Sequence, residues 1–138
     1  MEMVPVCSAR LDVGTRYPVG KTPFGDRLIG EITGGRWEGE RFKANMVGVA
    51  AADWAIGGDA GLMHVDVRMT LETDDGALAY VHYTGLMDTA VEGAPIRTSI
   101  RFETAAEQYQ WLTRTICVGD GRFDEPNLKV LYDVFALR

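Results

Sequence analysis

Residues 64–76 read HVDVRMTLETDDG, and the direction in which their side chains face decides how the chain folds. The alternation is strict. Val65, Val67, Met69 and Leu71 fall on one face, and His64, Asp66, Arg68, Thr70 and Glu72 fall on the other. A period of two marks a β-strand. In a half-buried strand the polar face meets water, whereas in a closed barrel built around a pocket it can line the pocket instead.

The turn that ends this stretch offers a register. Asp75-Gly76 lies between two alternating runs, and two residues with glycine second specify a type I′ hairpin. The acidic pair Asp74-Asp75 is then turn chemistry. A calcium loop would need further acidic ligands and a late glutamate, which are absent. With that turn, Arg68 stands opposite Tyr83, Thr70 opposite Val81, Asp66 opposite Gly85, and Met69 opposite His82. The polar residues thereby share a face with Ala79, Val81, Tyr83 and Gly85, a mixed set that suits a cavity wall. A slip of one residue would exchange the two faces.

The rest of the chain repeats the pattern. Alternating runs are expected as strands near Ser8–Val13, Arg27–Thr33, Arg41–Val49, Leu62–Thr73, Ala77–Gly85, Ile96–Glu103, Trp111–Val118 and Leu128–Leu137. Breaks are expected at Gly34-Gly35, Gly57-Gly58-Asp59, Asp75-Gly76, Glu92 to Pro95 and Gly119-Asp120-Gly121. A short helical turn fits Thr104–Tyr109, with Thr104 as cap and Glu107 three residues on. About eight strands, with no helix long enough to cover a sheet, predict a barrel or sandwich in a single domain spanning residues 1–138.

Composition narrows the function. The 138 residues are 46% hydrophobic and 25% charged, the balance of a soluble globular protein. A formal net charge of −6 argues against nucleic acid or an anionic membrane as partner. No stretch approaches the ~18 apolar residues of a membrane span, and MEMVPVCSARLDV lacks the basic-then-apolar order of a signal peptide. Cys7 and Cys117 are the only cysteines. Far apart and without a secretory signal, they read as reduced thiols in a cytoplasmic protein.

Motifs for nucleotides, dinucleotides and metals are missing. In the register above, His64 and His82 lie roughly 17 Å apart on opposite faces, so they cannot easily share a metal. No cofactor is expected. The arginines are more informative, because Arg68, Arg97, Arg101 and Arg114 all fall within expected strands. Inside a barrel each would need a partner or an anionic or carbonyl-bearing ligand. The plain alternative is an external ladder of salt bridges such as Asp66–Arg68, and alternation alone favours it slightly. Asp53-Trp54 ends an apolar run just before a glycine turn. Desolvation beside the indole would raise the Asp53 pKa and suit it to proton transfer, or the aspartate simply tightens the turn.

Taken in order, FGDRLIGEITGG, AADW, HVDVRMTLETDDGALAYV, RTSIRFET, YQWLTR and VGDG resemble the calycin-like domain of unknown function 3237 family, from about Phe24 to Val134. The resemblance implies a small closed β-barrel with an internal pocket. It carries over onto Asp53, Trp54, Asp66, Arg68, Thr73, Asp75, Gly76, Tyr80, Arg97, Phe102, Glu103, Tyr109, Trp111 and Leu112. Thr113, the Tyr83-Thr84-Gly85 segment and Ile96 depart from the family pattern and point to a different ligand. The resemblance also favours the inward reading of Asp66 and Arg68.

The resulting expectation is an all-β, closed antiparallel barrel holding a cofactor-independent enzyme of isomerase, lyase or cyclase type. Asp53, with Tyr83 or Asp66, would move a proton. Arg68 and Arg97 would clamp a carboxylate, enolate or carbonyl oxygen. Trp54 and Trp111 would wall an aromatic or cyclic substrate. The alternative is a barrel that holds a small ligand without catalysis. A homodimer is expected, to cover the outward apolar face that the inward reading creates.

Overall fold

A computed structural model describes every residue from Met1 to Arg138. Eight antiparallel strands follow one another round a closed barrel, the last pairing with the first. They are β1 (Met3–Thr22), β2 (Gly25–Glu38), β3 (Lys43–Gly57), β4 (Leu62–Thr73), β5 (Leu78–Asp88), β6 (Ile96–Glu103), β7 (Cys117–Asp124) and β8 (Lys129–Leu137). The all-β closed barrel expected from sequence is present, and the bounds of β4 and β6 coincide with those expected. No helix is long and apolar enough to cross a membrane.

The β4–β5 turn is one residue longer than a type I′ turn, and that residue reverses the wall. The Thr73 N–H donates to the Ala77 carbonyl at 2.8 Å and the Gly76 N–H to the Thr73 carbonyl at 2.9 Å. Gly76 has φ of 92°, the left-handed position of a three-residue hairpin loop. Asp75 fixes the longer loop, because its carboxylate accepts from the Thr73 hydroxyl and from the Tyr109 hydroxyl at 2.8 Å. Arg68 consequently pairs with His82, Thr70 with Tyr80, Asp66 with Thr84, and Val67 with Tyr83.

The faces therefore exchange. Val65, Val67, Met69 and Leu71 are at most 3% exposed and form the inner wall, while Asp66 and Arg68 face outward. Hydrophobic burial chooses this register: turning four large apolar side chains to water would forfeit roughly 1.5–3 kcal/mol each. The inward reading of Asp66 and Arg68 is overturned, and with it the apolar outer face that gave the reason for a dimer.

One end of the barrel is plugged. Residues 111–118, expected as a strand, instead hold part of a short helix and the start of β7. A 3₁₀ turn at Glu107–Tyr109 runs into α1 (Gln110–Thr113) before β7 begins. Tyr109 and Leu112 are buried with Trp37, Phe42 and Phe102, whose rings meet edge to face at 5.5 to 5.7 Å. Thr104 does not cap the turn; its hydroxyl donates to Leu78 O and accepts from the Ala106 N–H.

The expected breaks at Gly34-Gly35 and Gly119-Asp120-Gly121 lie within β2 and β7. A Cβ on Gly121 would come 2.4 Å from Cε1 of Tyr132, so the glycine leaves room for that ring inside the barrel. At Gly35 a Cβ would come 2.8 Å from Leu11 Cδ2. In both places the glycines answer to crowding by inward side chains rather than to a turn.

Candidate functional site

At the end opposite the plug the interior is not filled. A cavity of about 200 Å³ opens among β1–β5, the start of β6 and the β7–β8 hairpin. Of its 18 lining residues 13 are hydrophobic, so the few polar groups carry whatever specificity it has. These are Asp53, Tyr83 and Tyr132, with Arg16, Glu31 and Glu125.

Backbone pairing sets their positions. Arg16 pairs with Gly30, Gly30 with Asp53, Asp53 with Val67, and Val67 with Tyr83, giving one continuous inward row. Gly30 contributes no side chain between Arg16 and Asp53. Asp53 is partly buried, and its Oδ1 accepts the backbone N–H of Asp66 at 3.0 Å. Burial pushes its carboxyl up to about 6; the Asp66 N–H opposes this rise and the Asp66 charge adds to it.

Tyr83 and Tyr132 are 2% and 4% exposed, their rings meeting edge to face at 5.2 Å. Burial raises both phenols well above their ordinary value, the neighbouring Tyr132 and the Asp53 charge lifting Tyr83 further. Both are hydrogen-bond donors throughout the neutral range. At the mouth, Arg16 faces Glu125 at 3.6 Å and lies 6.0 Å from the Phe123 ring centre.

Of the residues singled out in the sequence, Asp53, Tyr83 and Ile96 meet at this cavity. The other proposed site residues do not. Arg68 lies outside, half exposed, 3.7 Å from Asp66 and 5.7 Å from the Trp54 ring centre. The Asp66 carboxylate accepts from His82 Nε2 at 2.8 Å. Trp54 is 37% exposed on the same outer surface. Arg97 pairs with Asp120 at 3.0 Å, because Ile96, Thr98 and Ile100 take the inward positions of β6. Trp111 belongs to the plug, where the Arg41 guanidinium covers its ring at 4.0 Å. Arg114 follows α1 rather than lying in a strand.

Tyr132, Arg16, Glu31 and Glu125 were not singled out. Tyr132 was legible, since it alternates with the buried Val134 and Ala136 in β8. Arg16 was not, because register shifts between Val13 and Arg16 interrupt the alternation of β1.

The outer surface also has a wider depression, lined by Arg10, Arg36, Glu38, Asp120, Arg122 and Asp133. Solvent reaches it freely, and its Arg36 is engaged by Glu38 and Asp74 at 2.9 and 2.7 Å. No group of three or more His, Cys, Asp or Glu side chains is placed to hold a metal ion. Cys7 and Cys117 are buried free thiols, raised by burial to about 12 and about 11.

The sequence profile of the family described as "Protein of unknown function (DUF3237)" matches residues 1–137. A UPF0311 protein of Rhodopseudomonas palustris is 32% identical over 121 residues, covering 78% of each chain. The crystal structure of a β-barrel-like protein from Acinetobacter baumannii superposes with a TM-score of 0.88 at 29% identity, covering 99% of this chain and 96% of that one. A structure described as an enzyme from Penicillium herquei has a TM-score of 0.76 at 21% identity, covering 97% and 93%, a likeness of fold alone.

Proposed function

Starting from the family to which this chain belongs, DUF3237, whose function is not established, we propose that the protein is a cofactor-independent acid–base enzyme acting on a small carbonyl-bearing ring compound. The observation that carries the reading is the meeting of Asp53, Tyr83 and Tyr132 at one largely apolar cavity. Asp53 is a carboxylate at neutral pH, yet its proton affinity is close enough to neutrality to serve as a base. The two phenols supply donors for an oxygen on which negative charge develops.

The step is a proton transfer. Asp53 takes a proton from carbon next to a carbonyl, the C–H electron pair moves into the new C=C bond, and the carbonyl oxygen gains charge against the phenols. Returning the proton to another carbon isomerises the substrate; loss of a leaving group eliminates it. Cavities of about 150 Å³ hold benzene, so a volume of about 200 Å³ fits one ring with a few further atoms. The lining holds three carboxylates and one guanidinium, which disfavours a carboxylate substrate and retains the carbonyl. Cytoplasmic placement agrees with the two free thiols.

Exchange of α-protons tests this without the natural substrate. Cyclohexanone in D₂O should lose its α-proton NMR signal faster with the protein than with Asp53→Asn, by roughly 10²–10⁴-fold if the base acts as proposed. Saturable binding of cyclohexanone with no exchange above that of Asp53→Asn would favour a non-catalytic ligand carrier.

A further inference from the structure

Gly30 is a glycine that the fold does not require. Every other glycine within the strands either has a positive φ or is crowded, so that a Cβ would come within 3.3 Å of a neighbour. Gly30 has neither reason. Its φ is not positive, and a Cβ there would meet nothing nearer than the Arg16 Cγ at 3.8 Å, an ordinary contact. A β-branched residue would suit this position of a strand better. The space is kept open all the same, and it belongs to the cavity, where Arg16, Gly30 and Asp53 pair in succession across β1, β2 and β3.

The Arg16 stem lies across this gap, since its Cγ is the atom that a Gly30 side chain would meet. Its guanidinium is the only cation among the lining residues. Glu125, at 3.6 Å, balances that charge but stands too far away for a hydrogen bond, so it takes none of the five N–H donors. Two inter-strand spacings separate Arg16 from Asp53, roughly 10 Å between backbones, the breadth of one ring with an oxygen at either end. An uncharged oxygen suits the outer end, because Glu125 and Asp53 would both repel an anion. Building on the proton-transfer reading just given, we infer that the substrate is a ring with oxygens at two opposite positions. The inner carbonyl meets Tyr83 and Tyr132, and the outer acceptor is held by Arg16 across Gly30. Arg16 thereby sets specificity, and Gly30 leaves the room for it.

Two ketones of nearly one shape test this, 1,4-cyclohexanedione and 4-methylcyclohexanone, titrated at pH 7.5 by calorimetry. The dione should bind about tenfold or more tighter, the gain expected from a hydrogen bond to a charged donor. Arg16→Met should bind the two alike. Gly30→Val should keep a thermal midpoint at or above that of the unaltered protein, yet weaken both ketones at least about tenfold by filling the gap. Equal affinities in the unaltered protein, or a dione preference that survives Arg16→Met, would overturn the inference. So would loss of both ketones from Arg16→Met, since Arg16 would then hold the cavity open rather than read the outer oxygen, and so would undiminished binding by Gly30→Val. Asp53-dependent α-proton exchange without a dione preference would leave the proton-transfer reading standing and remove this one. A dione preference without exchange would do the reverse, and binding of neither ketone would remove both.

Discussion

The backbone N–H of Asp66 donates to the carboxylate of Asp53 at 3.0 Å, so an outward-facing residue holds the inward-facing acid in place. Asp53 is kept by that amide rather than by a cation, and burial then raises its proton affinity. Position and basicity both follow from the β3–β4 pairing.

A raised carboxyl weakens the fold once ionised. The native state holds the Asp53 proton more tightly than the unfolded chain, so its stabilising contribution is full below about pH 4 and is lost as pH rises through about 6. Asp53→Asn should therefore stabilise the protein at pH 8 by about 2–3 kcal/mol, with no gain at pH 3.5. Urea unfolding at the two pH values reads this directly. A loss of stability at pH 8 would contradict the burial of a charge.

Arg68→Met should be nearly silent. Its side chain is half exposed and its contact with Asp66 is a long one, at 3.7 Å. Surface pairs of this kind contribute less than about 1 kcal/mol. Equal thermal midpoints, and equal affinity for cyclohexanone, are expected; loss of binding would return Arg68 to the pocket.

Gly121→Ala should disturb the cavity from behind. The added methyl would sit 2.4 Å from the Tyr132 ring, which is held among buried neighbours. Overpacking of this sort costs about 1–3 kcal/mol, and it should displace Tyr132 and weaken ring-compound binding. Denaturant unfolding with parallel calorimetry checks both effects.

The barrel was legible in the sequence because alternation and turn residues are local signals. Its inside was less so. A two-residue turn and a three-residue turn both fit TDDG, and burial of the β4 apolar side chains inside the closed barrel selects the longer one, which Tyr109, distant in sequence, then holds through Asp75. Since one residue exchanges the faces, the closure of the barrel separated the correct wall from the inverted one. Asp53 and Tyr83 emerged because an acid beside an apolar run and a phenol among small residues are unusual. Tyr132 was legible from the alternation of β8, but the room made for its ring was not, since Gly119 and Gly121 read locally as a turn and serve instead to accommodate it. Arg16 lay beyond a bulge that alternation cannot cross.

The central claim is that Asp53 is a desolvated base at the cavity, and its own titration tests it most directly. Protein labelled with ¹³C at the aspartate carboxyls should show one resonance, absent in Asp53→Asn, that titrates with a midpoint of about 6. A midpoint near the ordinary aspartate value of about 4 would mean that water reaches the carboxylate freely, and would contradict the account.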